Sequence, residues 1–442
     1  MDLVKILFGS APFYPQLRNF QHLLEAIFAV IVNGYPARDL TVIGVTGTDG
    51  KTTTVHLIGS ILNEAGYRTA VVSTLGGFLN GRNVDTGFHV TTPDAKYLQP
   101  LLGRIKNSGI THVVLEVTSH ALDQHRVLGC NFKVGVLTNI THEHLDYHKT
   151  WERYREAKGK LFRGVEIAVL NHDDKSFDYV KSIARSARII SYGLASHADL
   201  YAQNISLTPL GCQFEIKEQK KIIKVASSLV GDYNVLNITA AAGVARSLGI
   251  SWDKISKSIS GFGGISGRME EIENKKGFRI IVDFAHTPNA LEVLLKTLKK
   301  STSGKLILVF GSAGLRDVGK RKLMGGISSQ IADFSVLTAE DPRTEEVEKI
   351  IDEITRGVRQ NAKVWDGQIN WREGGHWCVR VPERGEAIAF ALQKLAQQGD
   401  TVVICGKGHE KSMAYGNREY AWSDQEAVKA ALEGKVKRIV RS

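Results

Sequence analysis

Gly44-Val-Thr-Gly47-Thr-Asp-Gly50-Lys51-Thr52-Thr53-Thr54 is the stretch on which the fold turns. The apolar run Leu40–Val45 leads into it, and an amphipathic series (Val55, Leu57, Ile58, Ile61, Leu62) follows. That order reads as strand, glycine-rich turn, helix. Such a turn aims successive backbone N–H groups into a concavity at a helix N-terminus, where hydrogen bonding and the helix dipole both favour polyphosphate. Lys51 suits the outer phosphates as a point charge, and the Thr52 hydroxyl suits Mg²⁺. Gly47, Thr48, Gly50 and Thr53 complete the expected phosphate cradle. Val45 stands where the usual P-loop spacing places its first glycine, so the turn is a variant of that motif.

Outward from the turn, apolar runs alternate with helical patterns as far as Ser266. The strand-like runs are Leu40–Val45, Thr69–Ser73, His112–Val117, Val134–Thr138 and Ile167–Asn171. This alternation predicts an α/β fold with a mainly parallel sheet covered by helices. Alternating polar and apolar residues over Leu200–Lys224 predict a small antiparallel insertion. A second α/β unit begins at Phe278–Asp283 and continues through Lys305–Gly311, Phe334–Thr338 and Thr401–Gly406. Between the two, Gly261-Phe-Gly-Gly-Ile-Ser-Gly267 is rich enough in glycine to serve as a hinge. The expected organisation is a helical lead-in over 1–37, an ATP-binding unit over 38–267 and a Rossmann-like unit over 268–442.

A chain of 442 residues can bury more than one core, which agrees with two units. Its four cysteines lie far apart with no C-x-x-C pair, arguing against a zinc ribbon or disulfide framework and for a reducing, cytoplasmic setting. The formal net charge of +11 suits anionic small molecules. No basic run interleaved with aromatics points to nucleic acid. The apolar patch Leu23–Val32 is interrupted by Glu25 and falls short of the roughly 20 residues needed to cross a bilayer. It reads as an amphipathic helix packed on the first unit, with weak membrane-surface contact as the alternative.

Polar clusters stand at the strand ends, where open α/β sheets gather ligands. Glu116, at the end of the third strand, can reach a Mg²⁺ held by Thr52. The next strand ends in Thr138-Asn-Ile-Thr-His142-Glu143-His144-Leu-Asp146-Tyr-His148, where zinc fits the ligand types and His144 fits a second divalent ion. Lys158, in Ala157-Lys158-Gly-Lys160, reads by itself as a surface charge. Asn234 and Asn237 share one helix face by spacing and suit either an adenine edge or a helix cap. Arg268 follows the glycine stretch and suits a transferring phosphate. In the second unit Asp283, His286, Arg316, Glu340, Asp341, Arg343, Gly406 and Glu410 all fall at strand ends. Arginine forks suit carboxylates and the acids suit an ammonium, which describes a pocket for a zwitterionic amino acid.

Taken in order, the motifs GVTGTDGKTTT, TTPD, EVTSHALDQHRV, NITHEHLDYH, YREAKGKLF, GDYNVLN, GRME, DFAHTPNAL, GSAGLRDVGKR, EDPRTEE and GKGHE resemble those of the ATP-dependent Mur ligases. The resemblance runs from about Leu40 to the C-terminus. It is strongest to the branch that adds the third residue of the peptidoglycan stem peptide. It implies that Lys51 holds phosphate, that Thr52 and Glu116 bind a first Mg²⁺, and that His144 and an N-carbamylated Lys158 bind a second. By the same resemblance Thr91, Thr92, Thr118, Gln124 and Arg126 contact a UDP-muramoyl-dipeptide, and Asn234, Asn237, Arg268 and Asp283 contact ATP. Arg316, Glu340, Asp341, Arg343, Gly406 and Glu410 match the amino-acid pocket of the branches that take meso-diaminopimelate.

Three departures stand out. Glu340-Asp341-Pro-Arg343 replaces the usual Asp-Asn-Pro-Arg, placing an extra negative charge beside a carboxylate site unless it is paired. Leu315 replaces an acid before Arg316. The P-loop strand begins near Leu40, so the family's uridine-holding N-terminal domain is expected to be missing. The expected protein is a monomeric amide ligase that activates a carboxylate as an acyl phosphate. A folylpolyglutamate-type ligase and a non-catalytic nucleotide-binding regulator are the rival readings.

Overall fold

The computed structural model describes residues 14–79, 82–84, 91–141, 145–208, 211–358, 362–364 and 375–440. The chain divides into two compact units, Met1–Phe262 and Gly263–Ser442.

In the first unit helix α1 (Tyr14–Val32) and a short 3₁₀ turn lead into β1 (Thr41–Thr46), and the glycine-rich turn delivers the chain to α2 (Lys51–Glu64). The rest of the unit builds outward from that pair. On one side stand β2 (Thr69–Ser73), a hairpin of β3 (Gly76–Leu79) and β4 (Arg82–Val84), helix α3 (Ala95–Asn107) and β5 (His112–Glu116). After α4 (Ser119–Asp123) come β6 (Phe132–Leu137), α5 (Leu145–His148), α6 (Trp151–Gly159), β7 (Ile167–Asn171), α7 (Phe177–Ile183) and β8 (Arg188–Gly193). Strands β9 (Leu200–Thr208), β10 (Gly211–Glu218) and β11 (Lys221–Ser227) precede α8 (Asp232–Ser247) and α9 (Trp252–Ser260).

Among the described residues these strands form one sheet in the order β11-β10-β9-β8-β7-β6-β1-β5-β2-β3-β4. Neighbours from β9 to β2 run parallel, and antiparallel strands extend both flanks. The predicted insertion is therefore present, but β9 pairs with β8 and widens the main sheet. Alternation along β1 sorts its side chains to two faces: Ile43 and Val45 join a core with Leu57 and Ile58 of α2 and Ile238 of α8, while Val42 joins Leu98 and Leu102 of α3. Each fully buried Leu or Ile contributes about 2 kcal/mol. Burial of both faces explains why the central strands read as continuous apolar runs. At the far edge, Lys221 and Lys224 of β11 are exposed.

The second unit repeats the architecture with its own sheet, in the order β12-β13-β18-β14-β15-β17-β16. Its strands are β12 (Glu270–Glu271), β13 (Arg279–Asp283), β14 (Leu306–Phe310), β15 (Phe334–Leu337), β16 (Lys363–Val364), β17 (Trp377–Arg380) and β18 (Thr401–Cys405). All pairs are parallel except the edge strand β12. A separate hairpin, β19 (Ser412–Tyr415) with β20 (Arg418–Ala421), stands beside the sheet's carboxyl end. Beneath that end Arg384 and Asp424, both fully buried, form a two-pronged pair at 2.8 and 2.6 Å, and Arg384 also donates to the Ala339 and Cys405 carbonyls. A forked guanidinium with every partner in place fixes the loops above it.

Candidate active site

The first cluster forms where β1 lies between β5 and β6, the point at which the sheet order reverses. Register places Val45 opposite Glu116 and Val136, so the turn after β1 meets the ends of both neighbours. Thr48 N–H donates to the Asn139 carbonyl at 2.8 Å, Asp49 N–H donates to Asn139 Oδ1 at 2.9 Å, and Asn139 Nδ2 returns a bond to the Asp49 carbonyl at 3.1 Å. Thr138 Oγ1 donates to the same carbonyl at 2.7 Å. The turn is clasped by the β6 end before any ligand arrives.

Gly50 sits at φ +82°, and a Cβ there would lie 2.3 Å from Asn237 Oδ1. Only glycine meets both demands. It also has no side chain to cap α2, which leaves the helix's leading N–H groups facing the concavity. Lys51 Nζ donates to the Thr48 carbonyl at 2.7 Å and so bridges the turn.

Thr52 Oγ1 donates to Glu116 Oε2 at 3.0 Å. Thr74 donates to the same oxygen twice, from N–H at 3.2 Å and from Oγ1 at 3.1 Å, and its hydroxyl also lies 3.0 Å from Thr91 Oγ1. A buried carboxylate ringed by hydroxyls at the foot of a phosphate cradle is an oxygen-only donor set. That chemistry fits Mg²⁺, which takes one or two carboxylates and completes its shell with water and phosphate. Thr92 Oγ1 donates to the Glu116 carbonyl at 2.9 Å and accepts from Thr118 N–H at 3.2 Å. Thr92 thus meets Glu116 directly, while Thr91 and Thr118 join the cluster through Thr74 and Thr92.

Lys158 is not a surface charge. It is 2% exposed, its amine donates to the Gly47 carbonyl at 2.5 Å, and it lies over the Tyr154 ring at 4.5 Å. The Tyr154 hydroxyl in turn meets Thr48 Oγ1 at 3.1 Å, so α6 holds the turn from below. His148 Nε2 pairs with Ser119 Oγ at 3.0 Å; burial, with His120 nearby, lowers its pKa to about 4, and the ring is neutral at pH 7. His142, Glu143 and His144 lie outside the described residues. Asn237 Nδ2 donates to Asn234 Oδ1 at 3.0 Å, and Asn234 Nδ2 donates to the Val230 carbonyl at 2.8 Å. Asn237 Oδ1 faces Gly50 and accepts from Thr54 Oγ1 at 3.4 Å, so Asn237 buttresses the P-loop and Asn234 holds Asn237. Gln124 and Arg126 lie past α4, where Arg126 clasps Gln124 Oε1 at 2.7 Å and Asp94 at 3.1 Å.

In the second unit, Asp283 accepts from Met269 N–H at 2.7 Å and Ala285 N–H at 2.8 Å. Burial pushes its pKa up, while Arg268 and those N–H groups oppose the rise. Arg268 stacks over Phe284 at 4.6 Å, and His286 lies edge-on to the same ring. Thus Arg268, Asp283 and His286 form one group at the end of β13.

The ends of β14, β15 and β18 form another. Lys407, almost wholly buried, pairs with Asp341 Oδ1 at 2.7 Å and with Glu410. The extra charge anticipated at Asp341 is therefore compensated. Ala414 N–H also donates to Asp341 at 2.9 Å. Arg343 donates to the Gly314 carbonyl at 2.9 Å, tying its loop to the one that carries Arg316, which is exposed. Glu340 is fully buried; burial raises its pKa to about 7 against the pull of Lys320, Arg384 and Lys407. Its Oε2 has no hydrogen-bond partner, and a Cβ at Gly406 (φ +109°) would lie 2.3 Å from it. Sequence reading gave no role to Thr74, Asn139, Tyr154 or Lys407; each acts by touching a partner far along the chain, and although NITHEHLDYH, YREAKGKLF and GKGHE contain the last three, no quoted motif contains Thr74.

A polyphosphate cradle at a sheet's reversal point, with hydroxyls and a carboxylate ready for Mg²⁺, defines an ATP-dependent enzyme; the comparisons specify which. The Mur ligase middle domain matches residues 45–245, and the Mur ligase glutamate-ligase domain matches residues 267–408. This chain belongs to the Mur ligase family of ATP-dependent ligases. It is 36% identical over 417 residues to the UDP-N-acetylmuramoyl-L-alanyl-D-glutamate–2,6-diaminopimelate ligase of Geobacillus thermodenitrificans, covering 92% of this chain and 82% of that one. A solved structure of a ligase of that name superposes with a TM-score of 0.62 at 35% identity, covering 90% of this chain and 79% of the other. E. coli FolC in complex with ADP shares the fold, with a TM-score of 0.67 at 20% identity over 87% of this chain and 90% of that one. Among the described residues no helix is long and apolar enough to cross a membrane.

Proposed function

We propose that this ligase joins an amino acid, meso-diaminopimelate, to the D-glutamyl residue of UDP-N-acetylmuramoyl-L-Ala-D-Glu, a step of peptidoglycan precursor synthesis. The acceptor carboxylate attacks the γ-phosphorus of ATP, giving an acyl phosphate and ADP. The deprotonated amine of the amino acid then attacks the acyl carbon, and phosphate leaves. Lys51 and Arg268 offset charge on the transferring group, and the α2 N-terminus orients it, so catalysis is positioning and electrostatics. Thr52 and Glu116 would hold Mg²⁺, which supplies further charge neutralisation. His144 and Lys158 would hold a second ion. Carbamylation of Lys158 would add a carboxylate that accepts, while the one N–H left on Nζ could still donate to the Gly47 carbonyl.

Thr91, Thr92, Thr118, Gln124 and Arg126 belong to the acceptor side in this reading, and Asn234, Asn237 and Asp283 to the nucleotide. Arg316 and Arg343 receive the amino acid's carboxylates; Glu340, Asp341 and Glu410 receive its ammonium, with His286 and Gly406 shaping the approach. Joining the half-reactions requires the glycine stretch 261–267 to act as a hinge. The enzyme is read as a cytoplasmic monomer, which its buried free cysteines suit.

The observation that carries the reading is the meeting of Lys51, Thr52 and Glu116 at the ends of β1 and β5. The test is ADP release with UDP-N-acetylmuramoyl-L-Ala-D-Glu and, in turn, diaminopimelate, lysine and ornithine. Diaminopimelate is expected to give the highest kcat/KM. Absence of product with every amino acid defeats the substrate assignment, and coupling of glutamate to a folate moves the enzyme to the rival branch.

A further inference from the structure

Helix α1 has two apolar faces, and one of them is packed. Ala26 and Ala29 meet Ala95 of α3 and Leu128 in a small buried cluster. Val30 is buried against Gly129, where a Cβ would lie 2.6 Å from Val30 Cγ2. The inward face is thus built of small side chains at close approach. Phe20, Leu24, Ile27, Phe28, Ile31 and Val32 are left outside, each between 40% and 69% exposed. The first five follow the i, i+4, i+7, i+8, i+11 spacing of a single helix face. A helix that served only to pack on the first unit would turn its large apolar side chains inward and polar ones outward. This one does the reverse. Scattered apolar residues on a surface are ordinary, but a continuous stripe marks a contact.

The surroundings of the stripe are basic. Arg18 of α1, Arg38 in the 3₁₀ turn that follows, and Lys96 and Arg104 of α3 are all exposed. The nearby acids are largely compensated: Asp39 pairs with Lys106, Asp94 pairs with Arg126, and Glu25 accepts from Gln21 at 2.8 Å. Tyr35 and Tyr97 are half exposed on the same two elements, and such rings suit the boundary between headgroups and acyl chains. An anionic bilayer surface answers both features at once, since its acyl chains take the stripe and its headgroups take the cations. A second copy of the chain would cover the stripe but set one basic rim against another. Among the described residues no helix is long and apolar enough to cross a membrane, so α1 would lie along the surface.

We propose that the outer face of α1 docks on an anionic lipid bilayer, with its apolar stripe towards the acyl chains and Arg18, Arg38, Lys96 and Arg104 at the phosphates. The inference is independent of which acceptor and amino acid the ligase joins.

The test is co-sedimentation of the full chain with vesicles of phosphatidylcholine alone and of phosphatidylcholine carrying about one-third phosphatidylglycerol. The wild type is expected to bind the anionic vesicles at least about tenfold more tightly than the neutral ones, and salt should weaken that binding. Phe20→Ser with Phe28→Ser should lower the affinity at least about tenfold. Arg18→Gln with Lys96→Gln should abolish most of the preference for phosphatidylglycerol while leaving the stripe intact. All four side chains are exposed, so Tm and ADP release should match the wild type in both variants. Absence of wild-type binding overturns the proposal, as does binding that ignores phosphatidylglycerol or survives the serine pair unchanged. A wild-type dimer, formed without vesicles and split by the serine pair, assigns the stripe to a second copy and overturns the bilayer.

Discussion

Glu340 shows how far one side chain's surroundings can reset its chemistry. Its carboxyl is buried with one oxygen unpartnered, and its pKa rises to about 7 from an ordinary 4.5. Between those values the folded chain holds a proton that the unfolded chain has released. Stability from this group is therefore full below pH 4.5 and is lost as the pH rises towards 7. Glu340→Gln removes the ionisation, so the variant's stability relative to the parent should improve by about 1–3 kcal/mol between pH 5 and pH 8. Urea midpoints at the two pH values check this, and a constant difference would contradict it. The neighbouring Asp341 differs in kind, because Lys407 and Ala414 N–H satisfy it. Sequence reading raised the correct question about Asp341, a charge that needs a partner. It could not supply the partner, which stands 66 residues further on.

At the scale of elements, the strand–turn–helix unit β1–α2 was legible because its signals are local. Glycines, a lysine and a threonine at fixed offsets between an apolar run and an amphipathic one need no tertiary information. The strands at Thr69–Ser73 and Ile167–Asn171 lie at the residues their apolar runs mark, for the same reason. Strands β3, β4 and β17 and the hairpin β19–β20 went unread; they are short, and pairing with distant neighbours decides them. Lys158 was misjudged on its own, because α6 carries few apolar residues and nothing local announces that its last turn is buried. The turn itself gives a sharp expectation. Gly50→Ala forces a side chain into left-handed backbone and against Asn237, at a cost of about 1–2 kcal/mol. ATP binding should weaken at least tenfold in a nucleotide titration, and wild-type affinity in that variant would show that the turn relaxes freely.

At the scale of the whole molecule, two parallel sheets covered on both faces place most chemistry-bearing residues at strand carboxyl ends. The same architecture leaves few open edges, and each must be managed. Strand β11 is such an edge, paired only with β10 and carrying exposed Lys221 and Lys224 on its flank. Replacing both by Val should leave turnover within about twofold of the wild type while lowering solubility, read as concentration-dependent light scattering. Unaltered scattering would mean that α9, which packs on this strand, shields it sufficiently. Those two lysines therefore matter most before any substrate is met: crowded, freshly made copies of the chain find a repellent border where they would otherwise have found a template for stacking.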